Sequence, residues 1–129
     1  MKKGFILIAL ATMLLALAGC SSYTNSYSAV GFIHSSTPKG GFMNFHTFKG
    51  RMVFNLRVKD SEAIVCSGKL EEGSLCVYYD TDGEKKELVK LDGGQTFGFT
   101  MDDLDAGKVH IIVETDGKCR DGNLEFKVQ

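Results

Sequence analysis

Tryptophan is absent from the 129 residues, and proline occurs only once. Without tryptophan the chain lacks the broadest aromatic surface for stacking, which disfavours a carbohydrate-binding function that depends on wide aromatic platforms. Tyr78 and Tyr79 remain as aromatic side chains for that role. The single proline begins the sequence Pro38-Lys39-Gly40-Gly41, which predicts a turn.

The sequence also lacks the short motifs that mark common catalytic and metal sites. It contains no C-x-x-C, no H-E-x-x-H and no G-x-S-x-G nucleophile turn. His34, His46 and His110 are scattered along the chain. The acidic stretch Asp80–Glu84 fails the spacing of a calcium loop, so a hairpin turn is the better interpretation. We therefore expect no catalytic residues, no metal site and no cofactor.

A permanent membrane span is missing as well, but a shorter apolar run opens the chain. Lys2 and Lys3 precede Phe5–Ala18, which contains one polar residue and falls short of the ~20 apolar residues that a membrane-spanning helix needs. A short positive segment followed by an apolar run of this length is typical of a secretory signal peptide. We expect residues 1–19 to be this signal.

The end of the run resembles the bacterial lipobox. Small residues precede a cysteine in Leu17-Ala18-Gly19-Cys20. The resemblance implies recognition of Leu17, Ala18 and Gly19 by signal peptidase II and a covalent lipid on Cys20, the first residue of the mature chain. Two or more acyl chains would hold the protein stably on a membrane. With Ser21 next, it implies the outer membrane in a two-membrane organism, and otherwise the outer face of the cytoplasmic membrane.

Acidic residues are missing from the first part of the mature chain. Between Cys20 and Lys59 the only charged residues are basic: Lys39, Lys49, Arg51, Arg57 and Lys59. This segment is either a basic face for anionic lipid or cell-wall polymer, or a set of solvated strand faces, and its modest charge density favours the second. Removing Lys2 and Lys3 from the 15 basic residues leaves 13 against 16 acidic ones, a net charge of −3. We expect no nucleic-acid partner.

Three cysteines remain after lipidation, an odd number for an exported protein. Cys66 and Cys76 flank a predicted turn at Glu71–Gly73, and a hairpin there would place them opposite each other, so we predict that they form a disulfide. Cys119 is then a free thiol. Lys118 and Arg120 beside it would lower its pKa and make it reactive; the alternatives are an inert surface thiol or a partner for Cys66 or Cys76.

The mature chain alternates apolar and polar residues between Asp-Gly turns, which is typical of antiparallel strands. This pattern predicts an all-β fold, a small antiparallel β-sandwich of Ig-like or jelly-roll-like type with about seven to eight strands. We expect a signal peptide (1–19), a lipidated flexible tether (20–30) and the sandwich domain (31–129). The strands are drawn from about 31–34, 42–48, 51–59, 62–69, 75–79, 86–91, 96–101, 108–114 and 123–128. Turns are predicted at 82–83, 92–94, 116–117 and 121–122.

The spacing of Phe42, Phe45 and Phe48 leaves a question open. Three residues apart in a strand, they cannot all share one face, so at least one side chain is exposed as part of a binding surface unless a bulge or a helical turn buries all three. The stretch Leu104–Val113 resembles the penultimate loop and strand of bacterial secreted sandwich domains. With the lipobox, it makes the chain similar to small uncharacterised lipoproteins, a family that implies no activity.

These patterns lead to one functional hypothesis and two alternatives. We expect a membrane-anchored, non-enzymatic binding or structural module at the cell envelope, with an envelope protein or a cell-wall polymer as its partner. The alternatives are an inhibitor of an exogenous lysozyme or protease, and a cysteine-dependent enzyme acting through Cys119. No motif fixes the ligand or the oligomeric state.

Replacing Cys20 by serine tests the anchor. Without the thiol no lipid can be attached, so we expect the Cys20→Ser precursor to remain uncleaved and to leave the lipid-anchored fraction. The measurement is membrane fractionation in high salt with gel analysis of precursor size, and Ser22→Ala is the matched control. A Cys20→Ser protein that is processed and retained like the Ser22→Ala control would contradict the lipobox.

Overall fold

The computed structural model describes residues 23–129, and these residues form nine β-strands and no helix. In chain order the strands are β1 (Ser26–Val30), β2 (Ile33–Thr37), β3 (Gly40–Val58), β4 (Ile64–Glu72), β5 (Ser74–Asp80), β6 (Lys86–Asp92), β7 (Gln95–Met101), β8 (Gly107–Thr115) and β9 (Cys119–Val128). All pairings are antiparallel, which confirms the predicted all-β class. No helix able to cross a bilayer occurs in this part of the chain. Leu17–Cys20, the predicted lipidation signal, lie outside the described residues.

One long strand, β3, joins the two layers of the fold. Its second half, Arg51–Val58, pairs with β8, and its first half, Gly40–Phe48, pairs with β9. We call β6-β5-β8 with Arg51–Val58 the first layer, and Gly40–Phe48 with β9-β4-β7 the second layer. On the opposite edge of β3, β2 pairs with the strand's start and β1 pairs around its midpoint.

A bend at Gly50 lets β3 curl from one layer into the other. Gly50 has φ +129°, and a Cβ atom there would lie 2.2 Å from the Ser26 carbonyl oxygen of β1. The curl is so strong that the Arg57 N–H donates to the Pro38 carbonyl at 2.9 Å, although Pro38 precedes the strand. The predicted strands 42–48 and 51–59 are therefore one strand, since a glycine in this conformation bends the chain without breaking either ladder.

The core lies between the layers and is built from the inward side chains of both. Phe48, Phe54 and Phe126 are fully buried, and the rings of Phe54 and Phe126 meet with centroids 5.5 Å apart. Each such side chain contributes roughly 1.5–3 kcal/mol through burial. Gly41 faces the core beneath Phe54, where a Cβ would lie 2.3 Å from the ring. The absence of a side chain at Gly41 therefore lets the first half of β3 pack closely against Phe54 in the second half of the same strand.

Two predicted segment assignments were wrong. The tether expected over residues 20–30 extends too far, because Ser26–Val30 forms β1 and its Tyr27 ring stacks 5.3 Å from the buried Phe48 ring. The turn expected at Asp121–Gly122 lies inside β9 instead. Gly122 is needed there because a side chain would collide with Phe45, whose Cζ lies 2.5 Å from the position of a Cβ. Of the turn predicted over Pro38–Gly41, Pro38 and Lys39 form the turn of the β2–β3 hairpin, whereas Gly40 and Gly41 already belong to β3.

Substitution of Gly50 tests the bend. We expect Gly50→Ala to lower the free energy of unfolding by at least about 2 kcal/mol, since it adds backbone strain and a steric clash with β1. Gly98→Ala is the matched control, because nothing lies within 4 Å of its Cβ position and its φ is not positive. The measurement is urea unfolding of both variants. Equal stability of the two would show that the layers do not depend on the bend.

Candidate functional site

The outer surface of the second layer is a polar sheet face that carries one exposed phenylalanine, Phe42, on its second strand. Direct cross-strand neighbours share a face, so the pairing register defines its rows. The central row consists of Ser35 on β2, Phe42 on β3, Glu125 on β9, Ser67 on β4 and Gly98 on β7. We call this surface the Phe42 face.

Small and polar side chains flank the central row on both sides. One neighbouring row contains Thr37, Gly40, Lys127, Val65 and Thr100, and the other contains Ile33, Asn44, Asn123, Lys69 and Thr96. The Phe42 ring is 37% exposed. A shallow groove of about 260 Å³ runs beside it, bordered by Thr37, Lys39, Glu125 and Lys127.

Three charged side chains of the Phe42 face are available to a ligand, whereas Lys39 at the groove border pairs with Glu62 at 3.4 Å. Within residues 23–129, neither Glu125 nor Lys127 nor Lys69 forms an ion pair within 4.0 Å. At one end of the face the His46 ring Nδ1 lies 2.8 Å from an Asp121 carboxylate oxygen. Hydrogen-bond donors and acceptors therefore surround an open aromatic ring on a rigid, strand-built surface.

The structure resolves the question of the three phenylalanines. Phe42 is exposed, whereas Phe45 and Phe48 are buried. Phe45 and Phe48 would lie on opposite faces of a regular strand. Both rings nevertheless belong to the core, because the inward-facing residues of β3 are odd-numbered up to Phe45 and even-numbered from Phe48, just before the bend at Gly50. The alternative in which all three are buried was wrong. Tyr78 and Tyr79, considered for stacking, are only partly exposed, and Lys85 lies over the Tyr78 ring at 4.3 Å.

The outer surface of the first layer, in contrast, is partly covered by the chain's own start. Val53 and Ile112 point outward by register, yet they are 5% and 0% exposed. Asn25 Oδ1 accepts a hydrogen bond from the Val53 N–H at 2.7 Å, and the Tyr23 hydroxyl donates to the Asp80 carboxylate on β5. The segment Tyr23–Asn25 therefore crosses β3 and β8. We call this surface the Tyr23 face.

Asp80, which Tyr23 binds, is a structural residue. Its Oδ1 also accepts from the backbone N–H groups of Asp82 and Gly83, which forms the turn between β5 and β6. Burial raises the pKa of this carboxyl group, but the hydrogen bonds from Tyr23 and the two backbone groups outweigh burial and leave the pKa lowered. The interpretation of Asp80–Glu84 as a turn is confirmed, and no cluster of metal-ligating side chains occurs among residues 23–129.

The three cysteines do not form the predicted arrangement. β4 pairs with β7 and β9 while β5 pairs with β6 and β8, so the hairpin that would place Cys66 opposite Cys76 is absent. Cys66 lies in the core, and Cys76 faces outward, where its thiol donates to a Glu87 carboxylate oxygen at 3.2 Å. All three thiols are free. Glu71 and Glu72 end β4, and Gly73 alone connects β4 in one layer to β5 in the other.

Cys119 lies in the core rather than at the surface. It is the first residue of β9 and is fully buried, and burial raises its pKa, so the expected effect of Lys118 and Arg120 is not seen. Burial likewise raises the pKa of the Cys66 thiol to about 12, and burial is the main cause of the raised pKa of Cys76. A thiol held in its protonated form is a poor nucleophile.

Comparisons with known proteins give distant likenesses only. No protein-family model and no curated protein matches this sequence. Similar solved structures include a mutant family 29 carbohydrate-binding module (17% identity, 83% of this chain and 73% of that one, TM-score 0.38). A family 61 carbohydrate-binding module in complex with β-1,4-galactotriose shares 12% identity over 81% of this chain and 87% of that one, with a TM-score of 0.47. A cupin-2 domain protein from Shewanella frigidimarina shares 10% identity over 81% and 80%, with a TM-score of 0.36. Because all three scores are below 0.5, function is inferred below from this chain's own residues.

Removing the Tyr23 hydroxyl tests its contact with Asp80. We expect Tyr23→Phe to lower the free energy of unfolding at pH 7 by about 1–2 kcal/mol, since a hydrogen bond to a charged group is lost. The folded pKa of Asp80 lies below its unfolded value of ~3.9, so this contribution is present above that value and is lost as pH falls through the folded pKa.

The measurement is urea unfolding at pH 7 and at pH 2.5. The loss should be full at the higher pH and clearly smaller at the lower one. Tyr27→Phe is the matched control, because within residues 23–129 the Tyr27 side chain makes ring contacts and its hydroxyl makes no hydrogen bond. A loss of equal size at both pH values would show that the Tyr23 hydroxyl does not act on the Asp80 carboxylate.

Proposed function

We propose that this protein is a lipid-anchored, non-enzymatic module of the bacterial cell envelope that binds a polysaccharide of the cell wall through the Phe42 face. The proposal rests on the exposed Phe42 side chain, which lies on the second of the five strands of this polar sheet face. An aromatic ring has an electron-rich face that attracts the C–H groups of a sugar ring. Carboxylate, ammonium, amide and hydroxyl groups around it suit a ligand that carries many hydroxyl groups.

Composition favours a polysaccharide over a protein partner. The centre of a protein–protein interface is typically depleted of Lys and Glu. On the Phe42 face Glu125 lies directly beside Phe42 across the ladder, and Lys127 borders the same groove. The groove beside Phe42, about 260 Å³, is also open and smaller than the ~300–1,000 Å³ of typical small-molecule pockets. Such a groove suits an extended polymer chain that lies across the strands.

The arrangement of acids favours binding over cleavage. Hydrolysis of a glycosidic bond normally uses two carboxyl groups about 5–9.5 Å apart. Glu125 is the single carboxylate in the three rows that define the Phe42 face, and the backbone of Asp121 on the same strand lies four residues away, roughly 13 Å at ~3.3 Å per residue. The burial of Cys119 disfavours a cysteine-dependent enzyme, and no specific contact supports an inhibitor of a lysozyme or protease.

Anchoring through Cys20 would hold this surface at the membrane. The first described residue, Tyr23, is three residues from the predicted lipid-bearing cysteine. The domain would then sit within reach of the wall, on the outer membrane in a two-membrane organism or on the outer face of the cytoplasmic membrane otherwise. Its partners would be the membrane, through the lipid, and the wall polymer, through the Phe42 face.

Substitution of Phe42 tests the binding surface. We expect Phe42→Ala to weaken co-sedimentation with purified peptidoglycan sacculi by about tenfold, since a stacked aromatic anchor is typically worth 1 kcal/mol or more. Because Phe42 is only 37% exposed, we expect the variant also to lose about 1–2 kcal/mol of stability, so urea unfolding is used to check that both variants are folded under the binding conditions. Val30→Ala is the matched control: Val30 is an apolar residue, 62% exposed, that lies opposite Thr47 and off the Phe42 face.

Two results would contradict the proposal. The first is a wild-type protein that does not sediment with sacculi. The second is equal binding by the Phe42→Ala and Val30→Ala variants. Digestion of the sacculi with a muramidase should release the bound protein, and retention on the remaining protein fraction would point to a protein partner instead.

A further inference from the structure

We propose that the Tyr23 face is the membrane-facing side of the domain and that Arg57 and Lys108 on it contact the phosphate groups of anionic phospholipids. This inference rests on the lipid anchor of the proposed function, but not on polysaccharide binding. It identifies a second interaction surface on the opposite layer from Phe42.

The inference starts from two neighbouring positive charges, those of Arg57 and Lys108, that have no acidic partner within residues 23–129. Arg57 on β3 and Lys108 on β8 are direct cross-strand partners, and both are exposed. Like charges in this position repel each other and destabilise the sheet. Within residues 23–129, no carboxylate lies within 4.0 Å of either side chain. An anion bound between them would relieve the repulsion.

A hollow beside the pair gives such an anion room. It has a volume of about 340 Å³, and its walls include Tyr23, Pro38, Asn55 and His110. The His110 Nδ1 lies 2.6 Å from the Asn55 side-chain oxygen, which fixes the imidazole at the wall of the hollow. Guanidinium and ammonium groups are the usual protein ligands of phosphate oxygens.

The short distance along the chain between Cys20 and Tyr23 favours the membrane as the source of the phosphate. Tyr23 is one wall of the hollow, and three peptide units separate it from Cys20, a distance of at most roughly 11 Å at ~3.6 Å per residue. Tyr23 is itself fixed to the domain by its contact with Asp80. A lipidated Cys20 would lie at the headgroup level of the bilayer, so the hollow would be held next to the phosphates of the same membrane.

Lysine footprinting of the intact lipoprotein tests this orientation. Lipidated protein is reconstituted into vesicles of phosphatidylcholine alone, or of phosphatidylcholine with one third phosphatidylglycerol, and labelled from outside with a membrane-impermeant N-hydroxysuccinimide ester. We expect Lys108 to be labelled about fivefold more slowly in the anionic vesicles, the factor expected for one basic side chain held at an anionic surface. Lys69 and Lys118 should be labelled at equal rates in both.

Arg57→Gln should remove most of this protection, because Lys108 loses its partner in binding the phosphate. Arg120→Gln is the matched control: it removes one exposed guanidinium from β9, where Arg120 lies opposite Thr47, ten residues along β3 from Arg57. The control should leave the protection of Lys108 unchanged. Folding of both variants is checked by urea unfolding before labelling.

Several outcomes would overturn the inference. Equal labelling of Lys108 in both kinds of vesicle, or equal protection of Lys108, Lys69 and Lys118, would show that the Tyr23 face does not meet the bilayer. Protection by 10 mM inorganic phosphate in neutral vesicles, equal to that by phosphatidylglycerol, would identify a site for free anions instead. A protein that fails to float with the vesicles would refute the anchor, whereas loss of sacculus binding alone would leave the membrane orientation intact.

Discussion

The continuity of β3 is the constraint on which the rest of the fold depends. This strand of 19 residues belongs to both layers. Its second half pairs with β8 and its first half pairs with β9, so the position of each layer is fixed relative to the same strand. Backbone hydrogen bonds therefore run without interruption from β6 to β7 through one shared strand. A break in β3 would separate two half-sandwiches, neither of which could cover its own apolar face.

The same curl gives the protein two outer surfaces of different character. In the second layer, inward and outward side chains alternate over Gly40–Phe45 of β3 and over Gly122–Phe126 of β9, and the outward ones are exposed or partly exposed. In the first layer, outward positions include Val53 and Ile112, which require a cover, and the segment Tyr23–Asn25 supplies it. The chain's beginning thereby belongs to one surface and leaves the other free for a ligand.

Local sequence predicted those elements whose signals are local. Alternation and the turns between the runs predicted the extents of β5 to β8 to within one residue at each end, because each of these strands is bounded by its own turn. The errors concern pairing over long distances. Glu71–Gly73 has the composition of a hairpin turn, but it connects strands that belong to different layers, and nothing in those residues reveals that β4 chooses β9 and β7 as partners.

The candidate site was only partly predictable for the same reason. The spacing of the three phenylalanines showed that they could not share a face, but the bend that decides which of them is exposed depends on the contact of Gly50 with β1. Likewise, Cys119 lies in a polar stretch of sequence, and its burial follows from its position opposite Phe48 in the β3–β9 ladder. Glu125 and Lys127 become neighbours of Phe42 and Gly40 only through that same ladder.

The contact between Tyr23 and Asp80 also has a mechanical consequence. Tension applied through the N-terminal end of the domain reaches Tyr23 first, then the Asn25 hydrogen bond to the Val53 backbone, and only afterwards the ladder between β1 and β3. These two side-chain contacts therefore resist the applied force before β1 can separate from β3. When these contacts break, Val53 and Ile112 become accessible to water. The first step of forced unfolding would therefore expose apolar side chains while the strands of both layers remain paired.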